Sequence, residues 1–400
     1  MEAVQAQVLS HYRSELVDRI RAGMHVLSAG GLTVKLAKEF GFCYGVERAI
    51  DLAYAARKVY PQQPIYILGE IIHNPEVNDQ IRGMGIKFLS GKEKNANIDD
   101  LQKDDIVIIP AFGAEMAVME KLRAKGCQFV DTTCGDVMSV WKRVRQYAND
   151  SVTSIIHGKA WHEETKATSS RATASGKGHY LVVFTLAETD YVCNYILHGG
   201  DKQEFLEKFK GAYSPGFDPD RDLQAIGVAN QTTMLSGDSL GIAAEVGKSL
   251  ARRFGGEPGF DLSNHFRSFD TICSATQERQ DAVEKLVAGP EGAPDVMVVI
   301  GGYNSSNTNH LAVLCARHAV TFHVADAACI DPERGTIRFK PAGTPLDAPE
   351  VEAEDWLPAG PIVVGLTAGA STPNVKIGEA VERLLRVRGL QVEEETVATA

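Results

Sequence analysis

Three of the seven cysteines stand where a metal centre could use them. Cys43 lies in EFGFCYGVERAI, Cys134 in VDTTCGDVMSVW and Cys273 in FDTICSATQERQDAV, and in each case a helix-compatible segment begins directly after the sulfur. A thiolate at a helix N-terminus is stabilised by the helix dipole and by unused N–H donors, which lowers its pKa from about 8.5 and suits it to bind metal. No CxxC pair is present, so any metal site has to be assembled from cysteines far apart in the chain. Three thiolates would leave one iron of a four-iron cluster open, able to act as a Lewis acid on a substrate oxygen while the rest of the cluster supplies electrons. Taken singly, each sulfur reads better as a buried small hydrophobe, and the shared context is what groups them. Cys127, Cys193, Cys315 and Cys329 lack that context and are assigned to packing.

Six short polar signatures follow apolar runs: IIHNP, PAFGA, HGKAWHEET, ANQTT, GGYNSSNTN and TAGASTPN. Strand-to-helix turns are where α/β folds bind ligands, because unpaired backbone N–H groups and the positive end of a helix face the same point. His73 precedes Asn74-Pro75, a cap followed by a first-turn proline, which suits either a capping role or a phosphate. His162 and Glu164 put a donor and a carboxylate in one polar loop, which reads as a proton donor beside an anion or as a solvated charged loop. The hydroxyls and amides of Tyr303 to Asn309, including Ser305, Ser306 and Asn307, and the small residues Ala368 to Ser371, suit an oxyanion as well as an ordinary helix cap. Neither segment is a GxxxxGK[ST] loop.

The elements that must position these residues follow from periodicity. From about Thr33, apolar runs of four or five residues alternate with helical-period segments, which defines an α/β chain with sheets buried by helices. Strands are expected near Ile65 to Leu68, Ile106 to Ile109, Ser154 to Ile156, Leu181 to Phe184, Ile226 to Ala229, Val296 to Ile300, Thr321 to Val324 and Ile362 to Leu366. Two of the three cysteine contexts share Asp-Thr-x-Cys, a weak threefold internal repeat with one cysteine per α/β unit and additional sequence around Tyr191 to Asp222. The expected organisation is an N-terminal extension over 1–31, α/β domains over 32–133, 134–270 and 271–390, and an acidic tail over 391–400. A Pro-, Ala- and acid-rich insertion near 340–361 reads as a loop. The extension reads as an amphipathic helix, peripheral like the insertion.

With 44% hydrophobic and 23% charged residues in 400, the chain can bury a sizeable core. A formal charge of −11 argues against a nucleic-acid or anionic-membrane surface, so an anionic ligand has to be held locally. No apolar run approaches the roughly 20 residues that span a bilayer, and the N-terminus lacks an apolar signal core. A cytoplasmic location with reduced thiols is expected.

Taken together and in order, GFCYGVERAI, IIHNPEV, DTTC, HGKAWHEET, NQTTMLS, DTICSATQERQ, NSSNTN and TAGAS resemble the LytB/IspH family, the 4-hydroxy-3-methylbut-2-enyl diphosphate reductases of the methylerythritol phosphate route to isoprenoids. The resemblance runs from about Leu36 to Leu385. It implies three similar α/β domains in pseudo-threefold arrangement around a central 4Fe-4S cluster held by Cys43, Cys134 and Cys273, with the substrate hydroxyl on the open iron. It implies that Glu164 delivers protons, that Thr232 assists near the substrate hydroxyl, and that His73, His162, Ser305, Ser306, Asn307 and Ser371 bind the diphosphate. Two electrons and two protons would release water and give isopentenyl and dimethylallyl diphosphate, with a one-electron donor protein of ferredoxin or flavodoxin type as partner. One departure stands out: bacterial members often carry a diphosphate-binding histidine in an Ala-His-Gly turn, whereas this chain has Ala111-Phe112-Gly113. That turn, the HGKAWHEET loop and the added sequence around Tyr191 to Asp222 look like the plant and cyanobacterial branch. A redox-neutral dehydratase and a cluster-bearing sensor are the alternatives, separated from the reductase by dependence on external electrons and on Glu164.

Overall fold

The computed structural model describes residues 8, 10–290 and 292–391, so nearly all of the acidic tail and the first residues of the N-terminal extension lie outside the described residues. The contacts divide the chain into two compact units, one of Met1–Pro61, Glu70–Ile86 and Ser274–Ala400, the other of Gln62–Gly69 and Lys87–Cys273.

The first unit is built on a five-stranded sheet in the order Val26–Ala29, Leu32–Leu36, Ile362–Ala368, Val296–Ile300, Val320–Val324. The first pair is antiparallel and the other three pairings are parallel. The run VMVVI is apolar throughout because both of its faces are covered, as in parallel sheets generally. Val296, Val298 and Ile300 face the helices Glu15–Ala22 and Asn374–Val387, where they meet Leu16, Val17, Ile20, Ile377, Val381 and Leu384. Met297 and Val299 face the helices Ser274–Val287 and Ser306–Ala316 through Val283, Val287, Leu311 and Cys315.

Within the N-terminal extension, Glu15–Ala22 is an amphipathic helix, as the periodicity implies, and Val26–Ala29 is a strand, but neither is peripheral. Ser14 caps Glu15–Ala22 by accepting from Val17 N, and Leu16, Val17 and Ile20 are buried in the sheet's core. The next strand, Leu32–Leu36, pairs with Ile362–Ala368, so the first residues assigned to the domain 32–133 fold with the C-terminal segment. The insertion near 340–361 also differs from a loop: Val351–Ala353 pairs antiparallel with Thr336–Phe339, and Trp356 packs edge-on against Phe322 at 5.2 Å.

The second unit has two four-stranded sheets, both entirely parallel. One runs Lys87–Phe88, Ile65–Ile67, Ile106–Ile109, Gln128–Asp131, the other Phe266–Ser268, Ile226–Asn230, Thr153–His157, Tyr180–Val183. The added sequence around Tyr191 to Asp222 packs Tyr191, Tyr195, Phe205, Phe209 and Phe217 onto the second sheet's core. All eight expected strands are present. The short edge strands Gln128–Asp131 and Phe266–Ser268 carry no apolar run, since an edge strand need not be buried on both faces. Among the described residues, no helix is long and apolar enough to cross a membrane.

Tyr147 lies fully buried across Ile226–Asn230, and its hydroxyl donates to Val228 O at 3.2 Å. A Cβ on Gly227 would sit 2.5 Å from the tyrosine ring. Gly227→Ala is therefore expected to cost about 1–3 kcal/mol by overpacking, read as a lower urea midpoint. An unchanged midpoint would show that the ring can move aside.

Candidate active site

Each of the three cysteines is fixed by the same backbone contact. Cys43 N donates to Ala370 O at 3.3 Å, Cys134 N to Ala111 O at 2.8 Å, and Cys273 N to Thr232 O at 3.2 Å. Every acceptor sits in the turn just after a strand: Ile362–Ala368, Ile106–Ile109 and Ile226–Asn230 in the same order. Each cysteine then opens a helix, Tyr44–Val59, Gly135–Asn149 and Ser274–Val287. None of the seven cysteines is in a disulfide, and these three are half-buried while the other four are buried. Burial pushes the Cys127 and Cys193 thiols up and the Cys315 thiol to about 12, which disfavours the thiolate that metal binding needs. Cys43, Cys134 and Cys273, half-buried and each opening a helix, are therefore better suited to thiolate ligation than these three buried thiols.

The loop before Cys43 carries a buried cation. Arg279, 4% exposed, donates from Nη2 to Gly41 O at 2.7 Å and Phe42 O at 3.2 Å, and from Nη1 to Ala275 O at 2.8 Å. Its Nε–H has no acceptor among the described residues. The guanidinium thus ties the peptide leading into Cys43 to the helix that begins one residue after Cys273.

In the first unit, the strand ends gather His73, Ser305, Ser306, Asn307 and Ser371. Asn74 caps Pro75–Gly83 by accepting from Val77 N at 3.0 Å and donates to Ser371 O at 2.9 Å. Ser305 caps Ser306–Ala316, and its Oγ lies 3.4 Å from Ser371 Oγ and 3.0 Å from Thr308 Oγ1. Asn307 Oδ1 accepts from Ala370 N at 3.0 Å, next to the carbonyl that holds Cys43. Ser306 Oγ is buried with no protein partner among the described residues. A buried hydroxyl left unpaired costs about 1–3 kcal/mol, so this one points to a polar ligand at the helix start.

In the second unit, His162 caps Glu163–Ala172, its Nδ1 accepting from Glu164 N at 3.2 Å. The neutral ring then carries its proton on Nε2, a donor. Glu164 is buried, and its Oε1 accepts from Thr232 N at 2.6 Å. The turn that holds Cys273 through Thr232 O thereby also holds the carboxylate. Gln231 supports both loops, accepting from Lys159 N at 3.1 Å and Thr165 Oγ1 at 3.2 Å. Phe112 packs edge-on against the His162 ring at 6.3 Å, so the residue that departs from the expected histidine buttresses a neighbouring one. Gly113 follows with φ +80°, and a Cβ there would meet the Trp141 ring at 2.2 Å, a position only glycine suits.

A family model described as LytB protein matches residues 34–385. The chain belongs to the LytB family. Relatives include the 4-hydroxy-3-methylbut-2-enyl diphosphate reductase of Gloeothece citriformis, 47% identical over 380 residues that cover 95% of this chain and 90% of that one. The enzyme of the same name from Microcystis aeruginosa is 47% identical over 384 residues, covering 96% and 92%. A solved structure of (E)-4-hydroxy-3-methyl-but-2-enyl diphosphate reductase, described as the terminal enzyme of the non-mevalonate pathway, aligns with TM-score 0.51 at 26% identity over 88% of this chain and 98% of its own. The corresponding Plasmodium falciparum structure, at 21% identity and TM-score 0.63, shares the fold. These cyanobacterial relatives agree with the branch of the LytB family that the PAFGA turn and the added sequence suggest.

Sequence reasoning gave no positioning role to four residues that support these turns: Arg279, Gln231, Glu70, whose Oε2 lies 2.8 Å from His73 Nδ1, and Asn304, whose Nδ2 donates to the same oxygen at 3.0 Å. Three of them lie inside quoted signatures, but a side chain that holds a loop from a distance leaves no local pattern. His323 is a fifth support: its Nε2–H donates to Gly301 O at 3.0 Å and its ring meets Tyr303 at 5.0 Å. Burial pushes His323 down from 6.5 to about 4. As pH falls below about 6.5 the unfolded chain takes a proton that the folded chain refuses, so this stability is present above pH 6.5 and is lost progressively toward pH 4. The loss is on the order of 3 kcal/mol, and His323→Gln, which can keep the bond to Gly301, should flatten that part of the stability–pH curve. Identical curves for the two proteins would overturn the assignment.

Proposed function

We propose that this chain reduces (E)-4-hydroxy-3-methylbut-2-enyl diphosphate to isopentenyl and dimethylallyl diphosphate, the last step of the methylerythritol phosphate pathway. The observation that carries the reading is membership of the LytB family along nearly the whole chain, with relatives of that activity 47% identical over more than nine-tenths of it. The reaction consumes two electrons and two protons and releases the hydroxyl as water.

Cys43, Cys134 and Cys273 are assigned as ligands of a 4Fe-4S cluster. Their support is the repeated backbone anchor and a half-buried setting that the other cysteines lack. When bound, such a cluster supplies electrons singly and offers one iron without a protein ligand as a Lewis acid. The remaining work falls to the chain's own groups. Ser305, Ser306, Asn307 and Ser371 present hydroxyl and amide donors to the diphosphate at the N-terminus of Ser306–Ala316, where the helix dipole favours anions. His73 and His162 are assigned as imidazole donors to the same group. Glu164 holds the proton for the leaving hydroxyl, its carboxylate oriented by Thr232 N, and Thr232 Oγ1 assists beside it. The three α/β domains are proposed to be arranged around the cluster, and a one-electron donor of ferredoxin or flavodoxin type to serve it.

Anaerobically reconstituted protein is expected to consume the hydroxylated diphosphate only when a one-electron reductant is supplied, and turnover without reductant would sink the reading in favour of a dehydratase. Glu164→Gln should keep its iron and lose at least about 100-fold in kcat, the usual weight of a positioned proton donor. Cys134→Ser should lower bound iron and sulfide far more than Cys315→Ser, and equal losses would remove the ligand assignment.

A further inference from the structure

Glu70 is a carboxylate that the assigned chemistry does not use, yet it touches both turns that the diphosphate reading relies on in the first unit. Its Oε2 lies 2.8 Å from His73 Nδ1 and 3.0 Å from Asn304 Nδ2, and Asn304 directly precedes Ser305, Ser306 and Asn307. His73 Nδ1 and Asn304 Nδ2 are themselves 3.4 Å apart, so three side chains meet at one oxygen. The His73 and Glu70 side chains are only 13% and 22% exposed, where solvent screens such contacts less than at an open surface.

The surrounding backbone leaves this knot little play. Asn78 accepts from Ile71 N at 3.0 Å and donates to Ile72 O and Asn74 O at 2.9 and 2.8 Å, which fixes the peptide between Glu70 and the helix Pro75–Gly83. Asn309 Nδ2 bonds Tyr303 O and Ser305 O at 2.6 and 2.8 Å, which fixes the carbonyls on either side of Asn304. A Cβ on Gly302 would lie 3.2 Å from His73 O, so the two turns run close together at that point.

We propose that Glu70 is the positioning residue of the anion site, locking the His73 ring by its Nδ1 and holding the Asn304–Ser305 turn against it. With Nδ1 hydrogen-bonded to a carboxylate, Nε2 is the nitrogen of His73 that meets a phosphate oxygen. A ring placed between a carboxylate and a phosphate donates to both. Glu70 touches no substrate atom itself, and its effect on binding passes through His73 and Asn304. This inference rests on the diphosphate reading of the site.

The test uses inorganic pyrophosphate as the probe, with calorimetric Kd measured on reconstituted wild type, Glu70→Gln, Glu70→Asp, His73→Ala and the Glu70→Gln/His73→Ala double variant. Glu70→Gln, nearly isosteric, is expected to weaken pyrophosphate binding about tenfold, the order lost with one charge-assisted hydrogen bond. Glu70→Asp should recover part of the loss, and the double variant should lose less than the sum of the two single losses, keeping only the part of Glu70's effect that passes through Asn304. In turnover, Glu70→Gln should raise KM more than it lowers kcat, with iron content and thermal midpoint at wild-type values. A Glu70→Gln Kd equal to wild type, or a loss that adds fully to that of His73→Ala, would overturn the positioning role. Failure of wild type to bind pyrophosphate, with iron loaded, would instead overturn the diphosphate reading.

Discussion

A backbone amide at the end of a parallel strand cannot be left without an acceptor, and this chain spends that constraint three times on a cysteine. Strand ends leave carbonyls and N–H groups that must be satisfied by whatever follows. Here the N–H of Cys43, Cys134 and Cys273 is satisfied by the carbonyl of Ala370, Ala111 and Thr232, each in the turn of another strand. Each cysteine's backbone is thereby held by a bond between turns, and Cys134 also packs beside Val137, Trp141 and Ala167. The same turns make further bonds: Asn307 Oδ1 accepts from Ala370 N beside the Cys43 anchor, and Glu164 Oε1 accepts from Thr232 N beside the Cys273 anchor.

How far the sequence discloses this depends on whether the information is local. The expected strands are legible because a strand covered by helices is mostly apolar, most plainly Ile106–Ile109 and Val296–Ile300, which are apolar and buried throughout. The cysteines are legible because each begins a helix, and Ser305, Asn307 and Ser371 because cap-forming residues cluster at strand ends. What stays hidden is held by contacts between segments distant in sequence. Arg279 supports the Cys43 loop through Gly41 and Phe42, and Asn304 meets Glu70 from far along the chain. The N-terminal helix shows its apolar stripe in its periodicity, but nothing local says that Val17 and Ile20 cover a sheet made largely by the C-terminal residues.

Net charge and binding chemistry are reconciled at short range. A chain of formal charge −11 repels anions at long range, yet a helix start, buried hydroxyls and amides provide donors within a few ångströms, where geometry outweighs the distant field. The cost is stored in buried polar groups such as Ser306 Oγ and Arg279 Nε, which lack protein partners among the described residues. Unpaired groups of this kind persist where they meet something other than protein.

The pairing of Leu32–Leu36 with Ile362–Ala368 has a consequence for how the molecule is made. On the ribosome the segment carrying Cys43 emerges early, but its sheet partner and the carbonyl of Ala370 emerge near the end. At roughly 5–20 residues per second, that thiol waits on the order of tens of seconds without its anchor. The unit from Gln62–Gly69 and Lys87–Cys273 draws its strands from a shorter stretch and can close first, with Cys134 and Cys273 already in place. The backbone anchor of Cys43, one of the three proposed ligands, is thus in place only after Ile362–Ala368 and Ala370 have been made.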